Sequence, residues 1–401
     1  MGYLKTADEK KQLCFVYLTF MLNGMLALSI GSFLPFIRES RGLNYAFAGM
    51  IVSLHSVGNL VSGFAAGALS ALIGRKKSIL LFNACFALSY ILIIAGGNNW
   101  VLALAFFMTG LARGASSNFG NYTINNLAPG RAGFLNVLHA MFSVGAFLFP
   151  IFLMALTRSD AGNWIYACYF LVFAGIVSWT LYFLTPVESG KTVKEKTGQK
   201  ADNAWGFFRE PLFYLCTLTM FFYLCAEQGV IGWMITYFVD TGLLSDSLSQ
   251  LMASVLWVMM LAGRLTTAGL SKRMKKERLL LAMGIGIVCF FFGLLISGST
   301  VPIVLGIMGF GYSMAGIYPT TVSFCGGMIQ KYSMAWSFML TIASFGSILM
   351  PMIIGRIAEQ AGIVYGMSSV VVVVLIDLAL IIALNIYMKK QEDRRDENGK
   401  K

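Results

Sequence analysis

Twelve stretches of the chain are apolar for long enough to cross a lipid bilayer, and this excludes almost every water-soluble architecture. They run over 13–37, 46–73, 78–97, 99–122, 132–156, 164–184, 211–238, 248–270, 279–298, 300–328, 333–356 and 363–388. A helix needs about 20 mainly apolar residues to span the hydrocarbon core. Lipid offers no partner to backbone N–H and C=O groups, so only helices and closed barrels are viable there. The windows are continuous and roughly twice the length of a barrel strand, so they predict helices. Only 12% of the 401 residues are charged, against about 25% in a soluble domain. The first window reads as a span, because it is too long for a cleavable leader and no small-residue cleavage site follows it.

The formal charge is +12, and its placement decides what it means. With the N-terminus inside, 24 of the 30 Lys and Arg residues fall on inward-facing segments, four fall outside, and Arg113 and Arg264 lie within windows. That asymmetry follows the positive-inside rule. It predicts two cytoplasmic termini and a lipid bilayer as partner, with no nucleic acid. The seven Cys residues all fall in apolar windows without a CxxC pair. They read as small buried hydrophobes, with neither a disulfide framework nor a metal site.

The chain also repeats itself. SVGAFLFP at 143–150 returns 201 residues later as SFGSILMP at 344–351. At the same offset Gly31 meets Gly232, Leu69-Ser70 meets Leu270-Ser271, GRKK at 74–77 meets KKER at 275–278, and Gly110 meets Gly311. One offset shared across several window pairs marks a duplicated unit. The division is therefore 1–184 for an N-terminal six-helix bundle, 185–209 for a cytoplasmic linker, 210–390 for a C-terminal six-helix bundle and 391–401 for a cytoplasmic tail. The tail, MKKQEDRRDENGKK from 388, reads as solvated and disordered. Matched Pro residues inside matched spans suggest symmetric bends beside a central cavity, as in transporters built from repeats.

Three stretches then resemble a known family. GALSALIGRKK at 67–77 is similar to the loop signature of the major facilitator superfamily, G-x-L-x-D-R-x-G-R-K, through Gly67, Leu69, Gly74, Arg75 and Lys76. Ala71 and Leu72 stand where that signature has Asp and Arg. Within the superfamily, FFYLCAEQGVIGWMITYF at 221–238 resembles the seventh helix of the fucose:proton symporter family. Tyr223, Ala226, Glu227, Gly232, Trp233 and Tyr237 carry that likeness, with Cys225 in place of the usual Gly. LNVLH at 135–139 and IYPT at 317–320 add Asn136, His139 and a Tyr-Pro-Thr in the tenth window. The resemblance implies the major facilitator fold: an all-α membrane protein with 12 transmembrane helices in two six-helix pseudo-symmetric halves. It further implies a monomer in a bacterial cytoplasmic (inner) membrane. The acids linked to proton movement in the fucose symporter are replaced here, by Gly31 in the first window and near Arg113 in the fourth.

Ionisable residues inside a bilayer are costly and default to functional hypotheses. Six lie well inside the windows: His55, Arg113, His139, Glu227, Arg264 and Asp377. Glu227 follows Pro211 by 16 residues, about 24 Å of helix, which places it near mid-membrane. A carboxylate there can accept sugar hydroxyls or take up a proton; an ion pair with Arg113 is the alternative. Gln228 adds an amide, while Trp233 and Tyr237 offer aromatic faces. Arg113 heads a segment with Asn118, Asn121 and Asn125 on one helical face, a hydrogen-bonding wall. Its guanidinium either anchors an anion or neutralises Glu227. Asn136 and His139 share a face, and His139 could couple a proton. Asn23 and Tyr318 are further candidate cavity liners. His55 reads as structural and Asp377 as a packing or assembly feature. Arg75, Lys76 and Arg264 are candidate gating residues at the cytoplasmic side.

These features predict a secondary active transporter working by alternating access. The expected substrate is a small polar molecule, a sugar or small glycoside, imported by symport with H+ or Na+ and with no bound cofactor. An organic anion or sugar acid anchored by Arg113 is the alternative. A drug exporter is disfavoured, because the first window lacks an acid and the fifth lacks a Gly-Pro-x-x-Gly-Gly pattern. A non-transporting nutrient sensor would carry a large soluble output region. No HExxH or GxSxG motif supports an enzyme.

Overall fold

A computed structural model describes residues 6–129, 131–185, 205–271, 273–332 and 334–399, with side chains except at 132 and 395–399. The stretch 186–204, most of the expected linker, lies outside the described residues, as do Lys400 and Lys401. Thirteen α-helices follow in order: α1 (Ala7–Arg41), α2 (Tyr45–Ile73), α3 (Arg75–Ala95), α4 (Asn99–Leu127), α5 (Ala132–Thr157), α6 (Trp164–Leu184), α7 (Pro211–Asp240), α8 (Asp246–Leu270), α9 (Lys276–Ile296), α10 (Thr300–Met314), α11 (Ile317–Lys331), α12 (Ala335–Ala361) and α13 (Ile363–Gly399). Twelve spans among the described residues are long and apolar enough to cross a membrane, α10 and α11 together forming one of them.

Local chemistry sets several boundaries. Thr6 caps α1 by accepting from the Glu9 N–H, while the Glu9 carboxylate accepts from the Thr6 N–H, both at 3.1 Å. This reciprocal box satisfies two of the orphan donors at a helix start. Asn44 and Asn98 cap α2 and α4 more simply, each side-chain oxygen accepting from backbone N–H groups of the first turn. The break between α10 and α11 has a covalent cause. Pro319 has no N–H to offer the Ala315 carbonyl, and its ring crowds that carbonyl. The chain turns at Ala315–Gly316 and resumes when the Thr320 N–H reaches the Gly316 carbonyl at 3.1 Å. The expected continuous span at 300–328 is therefore two half-helices. The tail also differs from expectation. It does not leave the helix: α13 runs to Gly399, and Glu392 pairs with Lys275 at 3.0 Å.

The chain divides into two compact units, Met1–Gly198 with Leu244–Ser254, and Gln199–Leu243 with Val255–Lys401. The first turns of α8 thus group with α1–α6. There Gln250 donates to the Ser32 carbonyl at 2.9 Å, and Ser254 donates to the Phe147 carbonyl at 2.8 Å.

The repeat is visible as helix crossings inside each unit. In the first, a Cβ on Gly145 of α5 would overlap the Met21 carbonyl of α1. In the second, a Cβ on Gly346 of α12 would overlap the Phe221 carbonyl of α7. Gly110 of α4 lies against the His55 carbonyl of α2, and Gly311 of α10 against the Leu256 carbonyl of α8. Glycine is required at these points because two backbones occupy the space of a side chain. His55 and Leu256 are themselves 201 apart, so the partners in that pair correspond as well, while Met21 and Phe221 miss the offset by one residue.

Candidate functional site

Among the described residues, a polar cluster stands near mid-helix in each unit. In the first, Arg113 projects from the middle of α4. Its Nη1 donates to His55 Nε2 at 3.2 Å. The other ring nitrogen, Nδ1, lies 2.8 Å from Thr109 Oγ1, and that hydroxyl donates to the Phe106 carbonyl at 2.5 Å. With its one proton committed, Thr109 accepts from His55 Nδ1–H. His55 is therefore neutral, with Nε2 left as the acceptor for Arg113. A protonated imidazole would set N–H against N–H beside a guanidinium. His55, read from sequence as structural, is buried and positions the arginine.

The rest of this cluster comes from α1 and α5. Asn23 is buried, and its amide donates to the Arg113 carbonyl at 3.4 Å and to Ser117 Oγ at 3.3 Å. It braces α1 on α4 at the level of the arginine. The Arg113 guanidinium carbon stands 5.9 Å from the Phe142 ring centre. Phe20 lies edge-on to Phe142 and to His139, at 6.1 and 5.7 Å. Asn23, His139 and Arg113 thus share one neighbourhood.

Other expected residues of this unit go elsewhere. Asn118 donates to the Gly63 carbonyl of α2 at 3.3 Å, and Asn121 to the Ser117 carbonyl of its own helix at 2.9 Å. The amide wall is therefore partly spent on backbone carbonyls. Asn136 is exposed. Arg75 packs its guanidinium 3.0 Å from the Tyr122 ring centre on α4, and Lys76 donates to the Thr185 carbonyl at the end of α6 at 3.2 Å. Both fasten helix ends within the unit.

In the second unit the cluster is acidic and phenolic. Glu227 lies 16 residues from the start of α7 and 13 from its end. Its Oε1 accepts from the Tyr223 hydroxyl at 2.9 Å, and its Oε2 accepts from Gln228 Nε2 at 3.4 Å. The Tyr318 ring centre is 6.2 Å from that of Tyr223. Tyr318 is half-buried and stands in the first turn of α11, so the Pro319 break delivers it here. Interrupted helices of this kind build substrate sites in transporters. Arg264, half-buried and six residues inside the end of α8, acts electrostatically on Tyr223. It belongs with this cluster more than with a helix end. The i, i+4 spacing of Tyr223 and Glu227 was the available signal for their bond.

Trp233 and Tyr237 are not brought to this cluster's accessible side. Trp233 is fully buried, and its indole N–H donates to the Pro351 carbonyl of α12 at 2.9 Å. Tyr237 is 2% exposed. Both are packed among helices, buried as Glu227 is. Asp377 is 3% exposed, so it faces the packed interior and is not an assembly surface. Among the described residues no group of three or more His, Cys, Asp or Glu is placed to hold a metal ion.

A model of the Major Facilitator Superfamily matches residues 13–351. The chain belongs to that superfamily. Its curated relatives include TsgA homologs of Yersinia pseudotuberculosis (serotype O:1b) and Yersinia pestis (strain Pestoides F). Each is 22% identical over 385 residues, covering 93% of this chain and 94% of the relative. Among solved structures, a bacterial homolog of the human lysosomal transporter Spinster, inward-facing and occupied, matches with a TM-score of 0.80 at 15% identity over 95% of this chain and 97% of its own. A D-xylose–proton symporter matches with 0.76 at 14% identity over 93% and 96%. The nucleoside transporter NupG matches with 0.73 at 12% identity over 96% and 100%. At these identities the likeness is one of fold. The protein is a multi-pass Major Facilitator Superfamily transporter and not an enzyme.

Proposed function

We propose that this transporter imports a neutral sugar or small glycoside by symport with H+ or Na+, with both termini in the cytoplasm of a bacterial cell. The observation that carries this reading is the carboxylate of Glu227 at mid-span, bonded to Tyr223 and flanked by Gln228 and Tyr318. Carboxylate, amide and phenol groups are hydrogen-bond partners suited to hydroxyls, and the carboxylate can also take a cation. The likeness of 221–238 to the fucose:proton symporter family supports the sugar. So does the fold shared with a D-xylose–proton symporter and with a nucleoside transporter, nucleosides being glycosides in the chemical sense.

The test is transport in proteoliposomes with radiolabelled sugars under imposed proton and sodium gradients. Glu227→Gln keeps a hydrogen-bonding side chain but not a titratable one. It is expected to lower gradient-driven accumulation by about tenfold or more, the equivalent of a single charged hydrogen bond, while exchange of sugar across the membrane survives. Equal loss of both would make Glu227 a binding residue only. No loss of either would remove it from the site.

A second reading rests on Arg113, a guanidinium held in place by a neutral imidazole within an apolar unit. Guanidinium groups recognise carboxylates and phosphates. Here the substrate would be an organic anion or sugar acid, and Arg113→Ala would abolish its binding. Thermal stabilisation of the purified protein by sugar acids but not by neutral sugars would favour this reading over the first.

A further inference from the structure

Asp377 is the buried carboxyl of the twelfth span, and neither cluster uses it. It lies 14 residues into α13, about 21 Å along the helix, at the depth of the membrane centre. It is 3% exposed, and its Oδ1 has no hydrogen-bond partner among the described residues. Its own helix surrounds it with Val373, Val374, Leu378 and Ile381.

The helices packed against α13 bring no positive charge to this level. On α7 the ionisable group in reach is Cys225. Tyr223 and Glu227 each stand two residues from Cys225, roughly 200° around the helix, and serve the cluster on the other side. On α9, Leu378 and Ile381 pack at Gly284. Its Cys289 is exposed, and its charges Lys276, Glu277 and Arg278 stand at its start. That start is opposite Asn385, which donates to the Glu277 carbonyl at 3.0 Å. Asn385 is eight residues from Asp377, about 12 Å along the helix. On α12 the charges are Arg356 and Glu359. That stretch lies by Gly366, which contacts Ile354 and Ala358, 11 residues and about 16 Å from Asp377.

A bare carboxylate in such a place would carry the full cost of a buried, uncompensated charge, and such groups neutralise instead. A sodium ion would need several oxygen ligands; the named neighbours supply methyl groups and a thiol. A proton needs only the carboxyl itself. We propose that Asp377 is a proton-binding site, a carboxylic acid loaded at neutral pH on the face of α7 opposite Glu227. The site takes a proton as its ligand and is independent of the substrate chosen by the clusters.

Infrared spectroscopy of the full chain in liposomes tests this directly. The protein is prepared with ordinary aspartate and with aspartate labelled with carbon-13 at its side-chain carboxyl. At neutral pH the labelled protein is expected to show a shifted C=O band of a protonated carboxyl. That band should disappear entirely in Asp377→Asn, persist in Glu227→Gln, and remain when sodium replaces potassium. The remaining aspartates lie outside the apolar windows, and the Asp377→Asn protein isolates their contribution. Label-sensitive intensity confined to the carboxylate region would overturn the proposal. So would a protonated band that sodium removes, which would make the site one for a metal cation. If Asp377→Asn does not fold, the labelled and unlabelled native proteins still decide between these outcomes.

Discussion

The two units share a backbone plan and differ in chemistry at corresponding positions. Offset by 201, Gly110 and Gly145 meet Gly311 and Gly346, and each pair marks the same helix crossing. The polar residues do not follow the offset. His55 meets Leu256, Arg113 meets Met314, Glu227 meets Leu26, and Tyr318 meets Ser117. One unit therefore sets a half-buried cation on a buried acceptor, and the other buries a carboxylate with its phenol. Duplication preserved what backbones need in order to approach each other. Side chains at the same depth were free to diverge, and the divergence is where recognition resides.

The most severe way to break this comparison is to fill its crossings. Gly145→Leu and Gly346→Leu each place side-chain atoms on a neighbouring carbonyl, beyond the ~1–3 kcal/mol typical of overpacking. Both are expected to abolish the folded peak in size-exclusion chromatography. A severe loss from one and none from the other would end the equivalence. A sharper test writes one unit's residue into the other. His55→Leu installs the residue found at 256 and strands Thr109 and Arg113 without their shared partner. A loss of about 3 kcal/mol is expected, from a buried charge-assisted bond, read as a drop of several degrees in melting temperature. Stability equal to the parent would show that the imidazole does not position the arginine.

Smaller effects separate the clusters further. Tyr223→Phe removes one hydrogen bond to Glu227, worth about 1.5 kcal/mol, and should weaken ligand-induced thermal stabilisation by roughly tenfold in apparent affinity. An unchanged affinity would place the substrate away from this phenol. The smallest effect belongs to the exposed pair of Lys275 and Glu392. The Glu392 carboxylate holds the Lys275 ammonium above the usual lysine range. A raised lysine contributes whatever it contributes below its ordinary value and loses it only as pH climbs through the raised one. Glu392→Gln should therefore lower the melting temperature slightly at neutral pH, and its curve should converge with the parent's as Lys275 deprotonates under alkaline conditions.

Much of the fold was legible because lipid imposes length and continuity on every span. The offset of 201 was equally plain, since glycines at backbone crossings do not tolerate replacement. The helix break at Ala315–Gly316 was not read, although Pro319 lay in view within IYPT. An apolar run containing one Pro can continue as helix, as at Pro150 and Pro351, or break, and tertiary packing selects between them. Site residues were harder for a related reason. Helix α7 is buried on nearly all sides, so its sequence carries no amphipathic stripe to say which face meets a cavity. Glu227 was found because charge in lipid is rare. For Trp233 and Tyr237 the residue type decides nothing, because aromatic residues serve packing and recognition equally well.

The bond from Trp233 to Pro351 gives the protein an intrinsic optical reporter. An indole fully buried and hydrogen-bonded to Pro351 of α12 emits according to that bond and to the apolar cage around it. The described tryptophans at 100, 179 and 205 are far more open. In a variant that keeps Trp233 as its sole indole, a shift in emission colour would register any change at this contact between α7 and α12 during turnover, with no dye attached.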